Sequence, residues 1–227
     1  MSQLEKVQKW VADHRLDVAY ISNFESIKYL TGFGSDPIER VLALFVFPDQ
    51  DPFLFAPALE VEAIKDTGWK FPVYGYLDHE QPFHLIANYI RERNANPVHW
   101  GIEEDNLTVD RYEVLRSEFP NAKFEANLTP VFEKLRMVKT ADEIEKLKAA
   151  GAEADFAFQV GFDAVAAGKT EAEVAAELEY ALKKRGVMEM SFDTLIQAGA
   201  HAAEPHGATA MNKICLLYTS DAADDSL

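Results

Sequence analysis

The stretch that most restricts what this chain can become is "VLALFVFPDQDPFLFA", residues 41–56. Two almost wholly apolar runs flank a turn rich in proline and aspartate. Side chains of a strand point alternately to opposite faces, so a run with no polar alternation is buried on both. The pair therefore predicts a β-hairpin inside a sheet that is covered on each side. Helices are the usual cover, which makes an α/β domain the expectation.

The flanking sequence supplies them. Leu4, Val7, Trp10 and Val11 fall on one face of a short helix, and "DVAYI" after it is compact and β-prone. "SNFESIKYLTGFG" opens on the capping residues Ser22 and Asn23 and closes on Gly32, giving a short helix that runs into a glycine loop. Beyond the hairpin, "PALEVEAIKDTG" reads as helix, "KFPVYGY" as strand, "PFHLIANYIRERN" as helix and "PVHWGIE" as strand. "TVDRYEVLRSEFP" and "AKFEAN" add a last helix and strand, and close the first domain at 127.

Residues 128–139 read as a hinge, and the segment 140–214 as the start of a second domain. Thr140 with Glu143 makes a capping box, in which hydroxyl and carboxylate satisfy each other's backbone N–H groups. Ile144, Leu147, Gly151, Ala154, Phe158, Phe162 and Val165 then recur at helical spacing up to a stop at Gly168. A second capping box at Thr170 and Glu173 opens a helix with Val174, Leu178 and Leu182 on one face. That helix gathers Lys183, Lys184 and Arg185 in its last turn and stops at Gly186. "MEMSFDTLIQAGA" returns to strand character.

With 38 acidic against 22 basic residues, a formal charge of -16, the chain repels a phosphate backbone, so no nucleic-acid partner is expected. The opening "MSQLEKVQKWVADHRLDVAYI" has no signal-peptide pattern, and no apolar run approaches the roughly 20 residues of a membrane span. A single cysteine, Cys215, cannot form an internal disulfide, and a cytoplasmic location fits best.

Several groups could carry chemistry. His79 and His84 are five apart, with Pro82 between them, which is wrong for a zinc helix. Glu103, Glu104 and Asp105 read as a solvated loop rather than a metal site, since no histidine accompanies them. Gly32 and Gly34 lack the surroundings of a dinucleotide loop and read as a turn. The segment "SFDTLIQAGAHAAEPHG", residues 191–207, is the strongest candidate, with His201, Glu204 and His206 among small residues.

That segment, the stretch "LRMVKTADEIEKLKAAG", the two capped helices and "NFESIKYLTGFG" occur in an order that resembles the creatinase/prolidase family, the M24 metallopeptidases of pita-bread fold. The resemblance covers residues 2–214. It implies a creatinase-type N-terminal domain, ribonuclease-H-like with a mixed sheet covered by helices, followed by the incomplete start of an α+β pita-bread domain. It implies cleavage of Xaa-Pro dipeptides, with the histidine of "PHG", here His206, as the catalytic residue contacting substrate or the developing tetrahedral intermediate. Asp193 of "SFD" is expected to hold the strand and loop before that histidine. His201 and Glu204 match no site position of the family.

The resemblance further implies two divalent metal ions (Mn, Co or Zn) held by two aspartates, a histidine and two glutamates, all downstream of "PHG". No metal ligand is expected in this chain. Residues 215–227 break the family pattern and read as a non-native tail, whose Asp221, Asp224 and Asp225 have no histidine or glutamate after them. An inactive fragment of a dipeptidase is therefore expected. The rivals are a metal-free creatinase-like amidinohydrolase and a non-enzymatic binding module. A homodimer is implied as well, with the loop "GFGSDPIER", residues 32–40, reaching the partner's active site.

Overall fold

The computed structural model describes residues 1–215, and the chain divides into two compact units, Met1–Val138 and Lys139–Leu227. In the first unit, helix α1 (Gln3–Asp13) starts at a capping box between Ser2 and Glu5 and buries Val7 and Val11. Strand β1 (Val18–Ile21) leads to α2 (Phe24–Thr31), which is capped by the Asn23 side chain and ended by Gly32 at φ 79°. Only glycine enters that left-handed region without strain, so the loop at Gly32 is a turn, as expected.

The hairpin is present as β2 (Ala43–Val46) and β3 (Phe53–Pro57), paired antiparallel with Leu44 opposite Leu54. A short 3₁₀ turn and α3 (Val61–Asp66), β4 (Val73–Tyr76), α4 (Pro82–Arg93), β5 (His99–Ile102), α5 (Val109–Glu118) and β6 (Lys123–Asn127) complete the expected alternation. The six strands lie in the order β4-β3-β2-β1-β5-β6. β1–β2 and β2–β3 are antiparallel, and the other three pairs are parallel. This is a mixed sheet.

Alternation along the strands makes two cores. Val18, Tyr20, Phe45, Phe53, Phe55 and Trp100 face α4 and α5, meeting Ile86, Ile90 and Leu115. Ala19, Ile21, Leu44, Val46 and Leu54 face the opposite side, against Val7, Val11, Ile27 and Ile64. The first layer is largely aromatic, with Phe45 and Phe53 stacked at 4.8 Å between ring centroids.

Two expectations need correction here. The segment expected as a hinge is helix α6 (Thr129–Met137), and the division falls between Val138 and Lys139 rather than at 127. The reason is burial: Leu128 and Phe132, 0% and 2% exposed, are part of the second core. The carboxylates read as a solvated loop are also partly internal. Glu103 is 2% exposed, and its Oε2 accepts the backbone N–H groups of Ser22 and Asn23, each at 2.9 Å. Its Oε1 accepts Ser26 Oγ at 2.5 Å, and that hydroxyl in turn accepts from Arg136 of α6 at 2.8 Å. Glu104 and Asp105 are exposed and accept from Asn127 and Thr129.

In the second unit, α7 (Ala141–Ala164) and α8 (Glu171–Lys184) start at the two expected capping boxes. α7 stops at Ala164, short of Gly168, which takes φ 84° in the turn that follows. Val174 and Leu182 of α8 are buried as expected, but the apolar face of α7 is not: Phe158 and Phe162 are 68% and 73% exposed. They line an open apolar cavity of about 690 Å³, together with Leu178, Phe192 and Leu195. The segment 188–200, expected as strand, is irregular and runs into a 3₁₀ turn at Gly199, because among the described residues no neighbouring strand completes a ladder with it. The described residues of this unit contain one isolated bridge, Thr170 opposite Lys213.

Two outcomes are expected. A fragment Met1–Val138 folds alone, and Phe132→Ala lowers its unfolding free energy in urea by about 3–5 kcal/mol; a loss below about 1 kcal/mol would return α6 to the status of a linker. The second concerns Glu103, whose carboxyl is raised above its ordinary range by burial, an effect that the donors at Ser26, Asn23 and Ser22 offset only in part. The folded chain then holds that proton more tightly than the unfolded chain, so Glu103's contribution is full below the ordinary carboxylate pKa of about 4.3 and declines as pH rises through the raised value. The stability of the native chain relative to Glu103→Gln should therefore fall as pH rises above about 4.3 in matched urea titrations. A difference that is flat, or that grows with pH, contradicts this.

Candidate functional site

The first turn of α8 and the chain from Thr194 to Ile214 form one hydrogen-bonded assembly. Gly168 N–H donates to the Ile214 carbonyl at 3.0 Å, and Ile214 N–H returns a bond to Lys169 at 2.8 Å. Glu171 and Ala172 N–H donate to the carbonyls of Asn212 and Ala210 at 3.0 and 3.1 Å. These are the N–H groups at a helix start, which have no partner inside the helix. The return strand of the loop satisfies them.

The centre of the assembly is the Glu171 carboxylate, 0% exposed. Its Oε1 accepts the Ala198 amide at 2.9 Å and its Oε2 the Ala210 amide at 3.0 Å. His201 Nδ1 lies 3.0 and 2.9 Å from the two oxygens, and Asn212 Nδ2 is 3.5 Å from Oε1. Burial is the largest influence on this carboxyl and raises it, but the donors at His201, Ala198 and Ala210 together outweigh burial and hold it below the ordinary range. An ionised acid has only acceptor sites, so His201 must present Nδ1–H to it.

Between these anchors the loop is braced from within. Gln197 Nε2 donates to the carbonyls of Glu204 and Gly207 at 2.9 and 2.7 Å. Thr209 Oγ1 donates to the Thr194 carbonyl at 2.7 Å and accepts Ile196 N–H at 2.9 Å. A short 3₁₀ turn, Gly199–Ala203, carries His201. Gly207 has a steric reason to be glycine: a Cβ there would run into the Gln197 amide and the His201 ring.

His206 sits in the part of the loop that these contacts surround. Its side chain is exposed, and among the described residues it makes no hydrogen bond or ion pair. Glu204 is exposed too, with its carboxylate 3.9 Å from His201 Nε2. Asp193, expected to hold the approach to the histidine, is exposed and among the described residues makes no hydrogen bond; Glu171, Gln197 and Thr209 do that work. Glu171 escaped the sequence reading because an acid in the first turn of a helix needs no further explanation than the helix dipole. Its partners lie about thirty residues further on, with no local pattern to announce them.

The remaining candidates stay apart. His84 is exposed and 3.3 Å from Glu118, and His79 belongs to the turn before α4. Among the described residues, no group of three or more His, Cys, Asp or Glu side chains could hold a metal ion. The described residues thus do not fit a two-metal centre. Asp221, Asp224 and Asp225 lie outside the described residues.

Comparison with known proteins follows the same two-part division. Residues 3–138 match the Creatinase/Prolidase N-terminal domain, and residues 145–222 match Metallopeptidase family M24. The chain is 50% identical over 212 residues to an Xaa-Pro dipeptidase of Lactobacillus helveticus, covering 93% of this chain and 58% of that protein. The N-terminal domain of an Xaa-Pro dipeptidase from Lactobacillus brevis is similar at 56% identity and a TM-score of 0.57, over 59% of this chain and 99% of that structure. A prolidase from Pyrococcus furiosus superposes over 91% of this chain and 57% of its own, with a TM-score of 0.75 and 28% identity. The chain thus spans less than two thirds of the length of these curated relatives. With both segments matched in order, the chain belongs to the creatinase/prolidase family: a creatinase/prolidase N-terminal domain followed by part of an M24 metallopeptidase domain.

Proposed function

We propose that these residues are part of a cytoplasmic dipeptidase that hydrolyses Xaa-Pro dipeptides, and that His206 is its substrate-contacting histidine. The observation that carries this reading is the presentation of His206. Its imidazole is exposed and unpaired among the described residues, on a loop that is otherwise tied by half-buried hydrogen bonds. A histidine left unpaired on a braced loop is free to donate a hydrogen bond to an oxyanion. The dipeptidases among the relatives support the choice of substrate.

In this reading the two divalent metal ions of the family take their ligands from beyond the described residues. The role of this chain's own residues is to hold and aim His206. The proposed assembly is a homodimer in which the loop 32–40 meets the partner. That loop has a fixed shape of its own: Arg111 donates to the carbonyls of Glu39 and Arg40 at 3.1 and 3.0 Å, and Val41 N–H donates to Tyr76 Oη at 2.7 Å. Its exposed tip, Ile38, is held at φ 56°, a costly conformation for a β-branched residue.

The test is a chimera that joins residues 1–214 to the remaining length of the Lactobacillus helveticus relative. It should release proline from Xaa-Pro dipeptides, and His206→Ala should lower turnover by about 10²- to 10³-fold with metal content unchanged. Full turnover in that variant would remove His206 from the reaction. The 227-residue chain alone, loaded with manganese and desalted, is expected to retain no stoichiometric metal and to release no proline; retained metal with proline release would refute its reading as an inactive fragment.

A further inference from the structure

Glu171 has no place in the proposed chemistry, yet it is the most completely enclosed acid of the second unit, at 0% exposure. A carboxylate offers about four lone-pair sites. Four donors face this one: the amides of Ala198 and Ala210, Nδ1 of His201 and Nδ2 of Asn212. The first two mark the start and finish of a loop, and the third comes from inside it. His206 lies between His201 and Ala210. Among the described residues no Lys or Arg pairs with the carboxylate, which is met by backbone and side-chain N–H groups.

We propose that Glu171 and His201 form a clamp that positions His206, closing the loop 198–210 so that the backbone carrying the imidazole is held in one conformation. Both are positioning residues: each acts on His206 through the loop. The consequence for turnover rests on the dipeptidase reading above, but the clamp itself is a property of this chain. It also gives His201 a defined requirement, to supply one N–H at the reach of Nδ1. An asparagine amide can meet that requirement and an alanine cannot.

The clamp can be read by NMR on the 227-residue chain without any assay of turnover. In the native chain, long-range ring correlations should show His201 with its proton on Nδ1, and the His206 and Gly207 amides should have order parameters in the rigid range, about 0.85. Glu171→Gln turns one acceptor into a donor. Exchange protection of the Ala198 or Ala210 amide should then fall by about 10- to 100-fold, and the order parameters at His206 and Gly207 should drop below about 0.6.

A second pair of variants covers the case in which Glu171→Gln unfolds the unit. His201→Asn should keep the order parameters near native values, whereas His201→Ala should lower them as the acid substitution does. Rescue by asparagine separates a requirement for a donor from a mere need to fill space. The proposal is overturned if His201→Asn and His201→Ala behave alike, if His201 carries its proton on Nε2, or if Glu171→Gln leaves the loop rigid. Because these readings do not involve proline release, failure of the clamp and failure of the dipeptidase proposal are told apart.

Discussion

Everything in the first unit depends on a sheet whose middle strands have no solvent side. β1, β2 and β3 are buried along their whole length, so each must be covered twice, and the alternation of side chains divides the cover into two cores. One layer is built from α4 and α5 against aromatic rings, the other from α1, α2, α3 and α6 against aliphatic side chains. Burial of this kind is worth about 1.5–3 kcal/mol for each large side chain, which is why a helix carrying one phenylalanine inward is recruited to the unit rather than left as a connector.

Both units meet the same local problem with the same device. Where a helix or strand begins or ends, backbone N–H groups are left without internal partners, and an enclosed carboxylate collects them. Glu103 does so for Ser22 and Asn23 ahead of α2; Glu171 does so for Ala198 and Ala210 from the first turn of α8. Their surroundings set them apart. Burial wins at Glu103 and raises its carboxyl, whereas at Glu171 the donors, one of them an imidazole, win and lower it.

Much of this was legible in the chain itself, and the parts that were not share a cause. The unbroken apolar runs of residues 41–56, the T-x-x-E capping boxes and the glycine stops are local signals, and the elements they predict are present. The "PHG" segment drew attention to His206 through its resemblance to a family. What escaped was long-range. Nothing near Phe132 says that it faces a sheet built from residues a hundred positions earlier. Nothing near Glu103 or Glu171 names partners about eighty and thirty residues away. The strand expected at 188–200 failed for the complementary reason, since a strand exists only in company, and its neighbours cannot be read from its own residues.

The three tryptophans, Trp10, Trp69 and Trp100, all belong to the first unit, and Trp100 is fully enclosed by the aromatic layer beside Phe119 and Phe124. Indole emission from this protein therefore arises in the first unit. It carries no direct signal from α7, α8 or the histidine loop, whose one described ring of comparable use is the exposed Tyr180. A sample in which that loop had come undone would still look intact by that light.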